Sequence, residues 1–223
     1  MVFNITECVD FHHGKRIVIT ILVCGHDVVI IMHKEGDALL IQQPVYYPFR
    51  EVIEDNGRIF VNNQLHYEDG KYTIDFEDFE KKIVDNNVKV FILCNPHNPV
   101  GRVWTKEELE KMGDICLKHN VVIMDDEIHC DFTYPGFKFT SFMTLDKKYH
   151  NSLVLYTSPS KTFNVAGLQP ANIIIKNQEL RAAYRKANVA AGYSQGSIMG
   201  QVAVKSVYTK GDEWVNELVE YIT

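Results

Sequence analysis

The sequence predicts a three-layer α/β/α fold around a mainly parallel central sheet. Two strand-like segments, FILC and VVIM, are continuous apolar runs, which is typical of strands that are buried on both faces. Short β-rich segments alternate with segments of helical periodicity, and this order is typical of parallel strands connected by helices. A chain of 223 residues that is 46% apolar can form a core of this kind.

The predicted strands are short runs rich in β-branched and other apolar residues. They cover residues 38–43, 58–62, 88–94, 121–125, 152–157 and 172–176. The predicted helices cover residues 75–84, 105–120 and 178–207, the last of them broken around residues 192–196, and a final helix starts near Asp212. Thr105 and Glu108 form a predicted capping box at the start of the second helix.

Composition argues against several classes of protein. The formal net charge of −6 disfavours a nucleic-acid or anionic-membrane partner, because either would favour a clustered basic face. The five cysteines are widely spaced and include no CxxC pair, so we expect free thiols rather than a zinc site or disulfides. The apolar run at residues 17–32 contains Gly25, His26 and Asp27 and is too short to span a bilayer. We therefore expect a cytoplasmic protein.

Polar residues follow three of the predicted strands. Residues 95–102 read NPHNPVGR, residues 125–129 read DDEIH, and residues 158–164 read SPSKTFN. Ligands of parallel α/β sheets bind at the carboxyl ends of strands, so we expect the chemistry in these loops. Each segment also has an ordinary interpretation: the first as a turn, Asp126 as a cap or ion-pair partner, and Lys161 as a solvated side chain.

Together the three loops suggest one cofactor. Pyridoxal phosphate needs a lysine for its aldehyde and an aspartate for its pyridinium nitrogen, and Lys161 and Asp126 supply these groups. Two other interpretations stay open from the residues alone. A nucleotide-binding domain is disfavoured because the chain has no glycine-rich phosphate motif, and a metal hydrolase would have to use His129, Asp125 and Asp126.

The chain resembles the class I/II aminotransferases, which are fold-type-I enzymes dependent on pyridoxal phosphate, and most of all the MalY/PatB group of cystathionine β-lyase-like C–S lyases. The matching segments extend over residues 36–223. They are IQQPVYYPF, CNPHNPVGRVWTKEEL, MDDEIHCDF, SPSKTFNVAGLQ and GDEWVNELVEYI. Because several separate motifs occur in the family's order, the resemblance is specific. It implies the large domain of a pyridoxal-phosphate-dependent transferase.

The resemblance implies roles for four residues at the reacting centre. Lys161 forms the internal aldimine with the cofactor and then moves the proton of the substrate Cα, which makes it the catalytic residue. Asp126 pairs with the pyridinium nitrogen and keeps it protonated. Asn98 donates a hydrogen bond to the phenolic oxygen, and His129 stands where many relatives have a tyrosine that contacts the same oxygen.

Further cofactor contacts are implied at the ring and the phosphate. Tyr46 lies where the family places an aromatic ring over the cofactor, and Tyr46 or its neighbour Tyr47 is otherwise expected in the core. Ser158 and Ser160 are candidate phosphate contacts. The chain departs from many aminotransferases at Gln169, where they have an arginine that binds the phosphate.

The resemblance also sets expectations for the domains and the activity. Residues 1–35 are expected to form a divergent segment, since residues 24–32 read CGHDVVIIM and do not resemble the family's phosphate-binding turn. Residues 36–223 are expected to form the cofactor-binding large domain without the carboxy-terminal small domain. The activity implied is that of a C–S β-lyase on a cystathionine- or cysteine-type amino acid, or of an aminotransferase, in a homodimer. The alternative is a truncated or degenerate, catalytically inactive relative.

Overall fold

The computed structural model describes residues 2–5, 35–190 and 197–223, and the side chains of residues 2–5, 187 and 190 are not described. The strands in these ranges are β1 (Val2–Ile5), β2 (Ala38–Ile41), β3 (Ile59–Asn62), β4 (His66–Glu68), β5 (Lys71–Thr73), β6 (Val90–Cys94), β7 (Val122–Asp126), β8 (Leu153–Thr157) and β9 (Ala171–Ile175). The α-helices are α1 (Pro48–Asp55), α2 (Phe76–Asp85), α3 (Lys106–Lys118), α4 (Gln178–Ala190), α5 (Ile198–Lys210) and α6 (Asp212–Ile222). Short 3₁₀ helices cover Phe142–Thr144, Lys147–Ser152 and Ala166–Leu168.

The main sheet has the strand order β1-β9-β8-β7-β6-β2-β3. The neighbours from β3 to β8 are parallel, whereas β9 is antiparallel to both β8 and β1. The predicted mainly parallel sheet is therefore confirmed. The carboxyl ends of β6, β7 and β8 lie side by side at one edge, because Cys94 pairs with Asp126 and Asp126 pairs with Tyr156.

Both faces of the sheet are covered, which confirms the three-layer arrangement. Leu39 and Ile41 of β2 contribute to one buried cluster, and Ala38 and Leu40 of the same strand contribute to the other. Strands buried on both faces are continuously apolar for this reason. Helices α1 and α4 cover the first face with Phe49, Val52, Ile53 and Tyr184, and helices α2 and α3 cover the second with Phe79, Ile83, Leu109, Met112 and Cys116.

The helix starts follow from local chemistry. The Thr105 hydroxyl accepts from the Glu108 amide and the Glu108 carboxylate accepts from the Thr105 amide, so the predicted capping box is confirmed. Asp75 caps α2 by accepting from the amides of Glu77 and Asp78. Among the helices that the structure describes, none is long and apolar enough to cross a membrane.

Several element predictions were wrong in detail. Helix α1 and the β4–β5 hairpin were not predicted, and the predicted strand over residues 152–157 begins one residue later because Ser152 closes a 3₁₀ helix. Asp126 is the last residue of β7 rather than the residue after it. The hairpin turns at Asp69 and Gly70, both at positive φ, which is an Asp-Gly turn signal. The predictions for residues 17–32, 24–32 and 192–196 lie wholly or largely outside the described residues.

Candidate active site

Asp126 supplies a buried carboxylate at the end of β7. The carboxylate lies within electrostatic range of Lys161, and its Oδ1 accepts a hydrogen bond from the backbone amide of Ile128 at 3.1 Å. The pKa of Asp126 is raised to about 7, chiefly by burial and to a smaller extent by the charge of Glu127, although the Ile128 amide and the positive charge of Lys161 act to lower it. A buried carboxylate of this kind is stable in its ionised form only beside a cationic partner.

The two carboxyl groups that flank Asp126 in the sequence form a separate buried pair. Burial and the neighbouring Glu127 hold the pKa of Asp125 well above its usual value. Glu127 accepts the Phe142 amide at 2.9 Å, and burial raises its own pKa. Within the described residues, no group of three or more histidine, cysteine, aspartate or glutamate side chains could hold a metal ion.

The lysine loop follows β8 and is held by its own serines. The Ser158 hydroxyl donates to the carbonyl of Pro170 and accepts from the Ser160 amide at 3.0 Å. The Ser160 hydroxyl is buried and has no hydrogen-bond partner among the described residues. Lys161 itself is exposed. The two predicted phosphate contacts therefore differ: the Ser158 proton is already used in a hydrogen bond, whereas the Ser160 hydroxyl has no hydrogen-bond partner among the described residues.

The loop after β6 holds Asn98 on a rigid base. The Asn98 amide donates to the Cys94 sulfur at 3.4 Å, and the Trp104 indole donates to the Cys94 carbonyl at 2.9 Å. His97 lies edge-on against Trp104, and burial lowers its pKa to about 4, so its imidazole is neutral and its Nε2 donates to the Pro44 carbonyl at 3.0 Å. Asn98 is half-buried on this base.

Tyr46 and His129 complete the predicted set. Tyr46 is half-buried and packs edge-on against Phe49, whereas Tyr47 is 63% exposed, so Tyr46 is the member of the pair that packs against the core. Burial raises the pKa of Tyr46, and the nearby charges of Tyr47 and Asp126 add to this effect. Burial and the charge of Lys161 lower the pKa of His129.

Mutual electrostatic effects indicate that most of the predicted residues lie close together. Lys161 acts on the pKa of both Asp126 and His129, and Asp126 acts on that of Tyr46. Asn98 and His129 also line one cavity of about 260 Å³ with an apolar wall that includes Phe132. The arrangement suits a flat, nitrogen-containing ligand with a cationic edge for the carboxylate and an anionic group for the unpaired serine hydroxyl.

Sequence reasoning missed three residues that hold the lysine loop. The Thr162 hydroxyl donates to the Asp131 carboxylate at 2.7 Å, and the Trp214 indole donates to the Thr162 carbonyl at 3.3 Å. Thr162 directly follows Lys161, and that position was the signal available in the sequence. Nothing local identifies its partners, because they lie 31 and 52 residues away along the chain.

The family model for aminotransferase class I and II matches residues 24–223. A curated relative, cystathionine beta-lyase PatB of Bacillus subtilis, is 44% identical over 187 residues, which cover 84% of this chain and 48% of PatB. Protein MalY of Escherichia coli is 32% identical over 84% of this chain and 47% of its own length. The chain thus spans about half the length of the curated relatives that it matches.

The fold is also similar to that of solved structures. Cystalysin from Treponema denticola, whose crystal structure contains a pyridoxal 5'-phosphate cofactor, superposes with a TM-score of 0.90 at 35% identity. The superposition covers 98% of this chain and 52% of cystalysin. The shared region includes the sheet edge that carries Asp126 and Lys161.

Proposed function

Because the chain belongs to the aminotransferase class I and II family, we propose that it forms the cofactor-binding part of a pyridoxal-phosphate-dependent C–S β-lyase that acts on a cystathionine- or cysteine-type amino acid. The observation that carries this proposal is the buried carboxylate of Asp126, which lies within electrostatic reach of Lys161 at the carboxyl edge of the sheet. The names of the relatives, a cystathionine beta-lyase and cystalysin, support the lyase.

The residues present fit pyridoxal phosphate. Asp126 can accept a hydrogen bond from a protonated ring nitrogen, which supplies the cation that this buried carboxylate needs. Asn98 and His129 can donate to a phenolic oxygen, and Tyr46 offers a ring face. When bound, the cofactor supplies an electron sink for chemistry at the substrate Cα.

Lys161 is the residue that moves protons in this proposal. Its amine would be the attachment point for the cofactor's aldehyde carbon, with one water released, and once freed by the substrate amine it would take the proton from the substrate Cα. Its exposed side chain, at the edge that also presents Asp126, supports the proposal of both roles. Departure of the β-thiolate, which takes up a proton to become a thiol, would leave an enamine, and its hydrolysis by one water would give pyruvate and ammonia.

The phosphate is held in this proposal chiefly by Ser160. Its buried hydroxyl has no partner in the described part of the chain, and a phosphate oxygen would satisfy it. Ser158 contributes by fixing the loop, since its proton goes to the Pro170 carbonyl. Gln169 is neutral where many aminotransferases have an arginine, so this chain makes the phosphate contact with fewer charges.

An aminotransferase is the second candidate, and the matched family model, which covers aminotransferases, favours it. Supplying the chain with pyridoxal phosphate and cystathionine, without any keto acid, tests the choice. The lyase predicts pyruvate in the parent and none in Lys161→Ala. Pyruvate that forms only after a keto-acid acceptor is added would contradict the lyase, and a chain that binds the cofactor without turnover would favour the inactive alternative.

The remaining proposals concern organisation. We propose that residues 36–223 form the large domain and residues 1–35 a divergent segment, although β1 of that segment joins the main sheet beside β9 and the family match begins inside it at residue 24. A homodimer is supported by the exposed apolar side chains of Ile198, Met199 and Val202 on α5. A cytoplasmic location is supported by the free thiols of Cys94, Cys116 and Cys130.

A further inference from the structure

Thr162, the residue after Lys161, is held on two sides by distant parts of the chain. Its hydroxyl donates to the carboxylate of Asp131 at 2.7 Å, and its carbonyl accepts from the indole of Trp214 at 3.3 Å. Thr162 is 2% exposed although Lys161 beside it is exposed. Two hydrogen bonds at a buried residue fix the backbone from which the lysine side chain extends.

The junction between α5 and α6 packs closely against the same loop. A Cβ atom at Gly211 would lie 2.4 Å from the ring of Phe163 and 2.4 Å from the Val207 carbonyl, a separation that real Cβ atoms do not reach. Only glycine therefore allows this approach. Gly211 and Trp214 belong to the GDEW sequence, so one short motif provides both the close contact and the indole donor.

The junction is anchored to the sheet independently of the lysine loop. The side-chain amide of Asn172 in β9 donates to the Tyr208 hydroxyl in α5 at 3.0 Å and to the Thr157 hydroxyl at the end of β8 at 3.3 Å. The helix pair that carries Trp214 is thus tied to the strand that leads into the lysine loop. Because the Trp214 indole is fixed to the sheet through these helices, it can restrain the lysine loop and need not move with it.

We propose that Asp131, Thr162 and Trp214 are positioning residues, which act through the backbone of Lys161 to hold its amine in the orientation needed to bind the cofactor carbonyl. This inference rests on the proposed function. Misplacement of a reacting group by about 1 Å can lower a rate about a hundredfold, so removal of either hydrogen bond is expected to slow cofactor capture strongly.

The test compares three variants of the full chain with one control. Thr162→Val removes the hydroxyl, Thr162→Ser keeps it, and Trp214→Phe keeps an aromatic ring without the N–H donor. Tyr221→Phe is the control, since Tyr221 lies on the same helix and is 88% exposed. Stopped-flow absorbance after addition of pyridoxal phosphate measures the rate at which the absorption band of lysine-bound cofactor appears. A pH titration of that band measures the proton affinity of the lysine nitrogen when it is joined to the cofactor.

We expect Thr162→Val and Trp214→Phe to slow the capture rate about tenfold or more and to shift the titration midpoint, while Thr162→Ser and Tyr221→Phe match the parent. The proposal is overturned if Thr162→Val and Trp214→Phe both keep the parent's capture rate and titration midpoint and only unfold at a lower temperature. The two contacts would then serve packing alone. The parent distinguishes the two hypotheses: a parent that captures no cofactor overturns the proposed function and this inference together, whereas a parent that captures it with unaffected variants overturns this inference alone.

Discussion

The hydroxyl of Ser158 accepts a hydrogen bond from the backbone amide of Ser160 at 3.0 Å, while the hydroxyl of Ser160, which is also buried, has no partner among the described residues. The two serines of the Ser-Pro-Ser-Lys loop thus have different tasks. One stabilises the loop, and the other has an unused hydrogen-bonding group. A buried hydroxyl without a partner costs free energy, which a phosphate ligand would recover.

Exchanging each serine for alanine is expected to separate these tasks. Ser158→Ala removes two buried hydrogen bonds, so the free energy of unfolding should fall by about 1–3 kcal/mol. Ser160→Ala removes a buried hydroxyl that makes no bond and costs free energy, so the stability of the cofactor-free chain should equal or exceed that of the parent. Urea unfolding measures both changes. A Ser160→Ala chain that is as destabilised as Ser158→Ala would contradict the assignment.

Ser160→Ala is expected to act on the ligand instead. Loss of a hydrogen bond to a charged phosphate costs about 1.5–3 kcal/mol, which is about a tenfold to hundredfold rise in the Kd for pyridoxal phosphate. Fluorescence or absorbance titration measures the Kd in the parent and the variant. Pyridoxal without the phosphate is the matched control ligand, because the variant and the parent should bind it alike.

Asp126→Asn is expected to change the pH dependence of stability. The pKa of Asp126 is raised from 3.8 to about 7 in the folded chain, chiefly by burial, so the folded state binds the proton more tightly than the unfolded state. This tighter proton binding adds to the free energy of unfolding. The added free energy is fully present below the unfolded-state pKa of 3.8 and is lost as the pH rises through the folded-state pKa of about 7. Between pH 5 and pH 8 the free energy of unfolding of the cofactor-free parent should fall by about 2–3 kcal/mol relative to that of Asp126→Asn.

Unfolding in urea at pH 5 and at pH 8 checks this difference. Pyridoxal phosphate should remove it, since a ring cation paired with Asp126 stabilises the ionised carboxylate. A stability difference between parent and Asp126→Asn that does not depend on pH would show that Asp126 is not buried beside the site as the structure has it.

Tyr46→Ala is expected to weaken cofactor binding, and Tyr46→Phe is not. An aromatic contact contributes about 0.5–1.5 kcal/mol beyond its buried area, so its loss should raise the Kd about threefold to tenfold. Tyr47→Ala is the control, because Tyr47 is 63% exposed. Equal effects at both positions, measured by the same titration, would place the stacking ring elsewhere.

Gly113→Ala tests the packing of α3 on the second face of the sheet. A Cβ at Gly113 would lie 2.8 Å from the Tyr149 ring and 3.0 Å from the Phe142 ring, so the core must shift. We expect a loss of about 1–2 kcal/mol in the free energy of unfolding, since overpacking outweighs the better helix propensity of alanine. Gly167→Ala, where no atom lies within 4 Å of the added Cβ, should change it by less than about 0.5 kcal/mol.

Much of the fold was predictable because its central strands carry an unambiguous pattern. A run such as FILC in β6 is buried throughout, and the helix that begins after Thr105 carries its own capping box. Helix α1 was missed because it is only eight residues long and overlaps a motif interpreted for its aromatic residues. The β4–β5 hairpin was missed because its strands of three residues are largely exposed and show no apolar alternation.

The site was predictable as a set of residues but not as a set of contacts. Asp126 ends one strand that the sequence identifies and Lys161 follows the next, so their closeness follows from the parallel order of those strands. The different states of Ser158 and Ser160 depend on the Pro170 carbonyl, and the hold on Thr162 depends on Trp214. Such contacts join distant segments, and no local pattern encodes them.

Lys161 is expected to bind the aldehyde of pyridoxal phosphate. The most direct test mixes the purified chain with pyridoxal phosphate and compares its visible absorption spectrum with that of Lys161→Ala, with borohydride reduction and peptide mass spectrometry to locate the attached cofactor. The account predicts a visible band in the parent, a reduced adduct on Lys161 and neither in Lys161→Ala. A band of equal strength in both proteins, or an absent band in both, would contradict it.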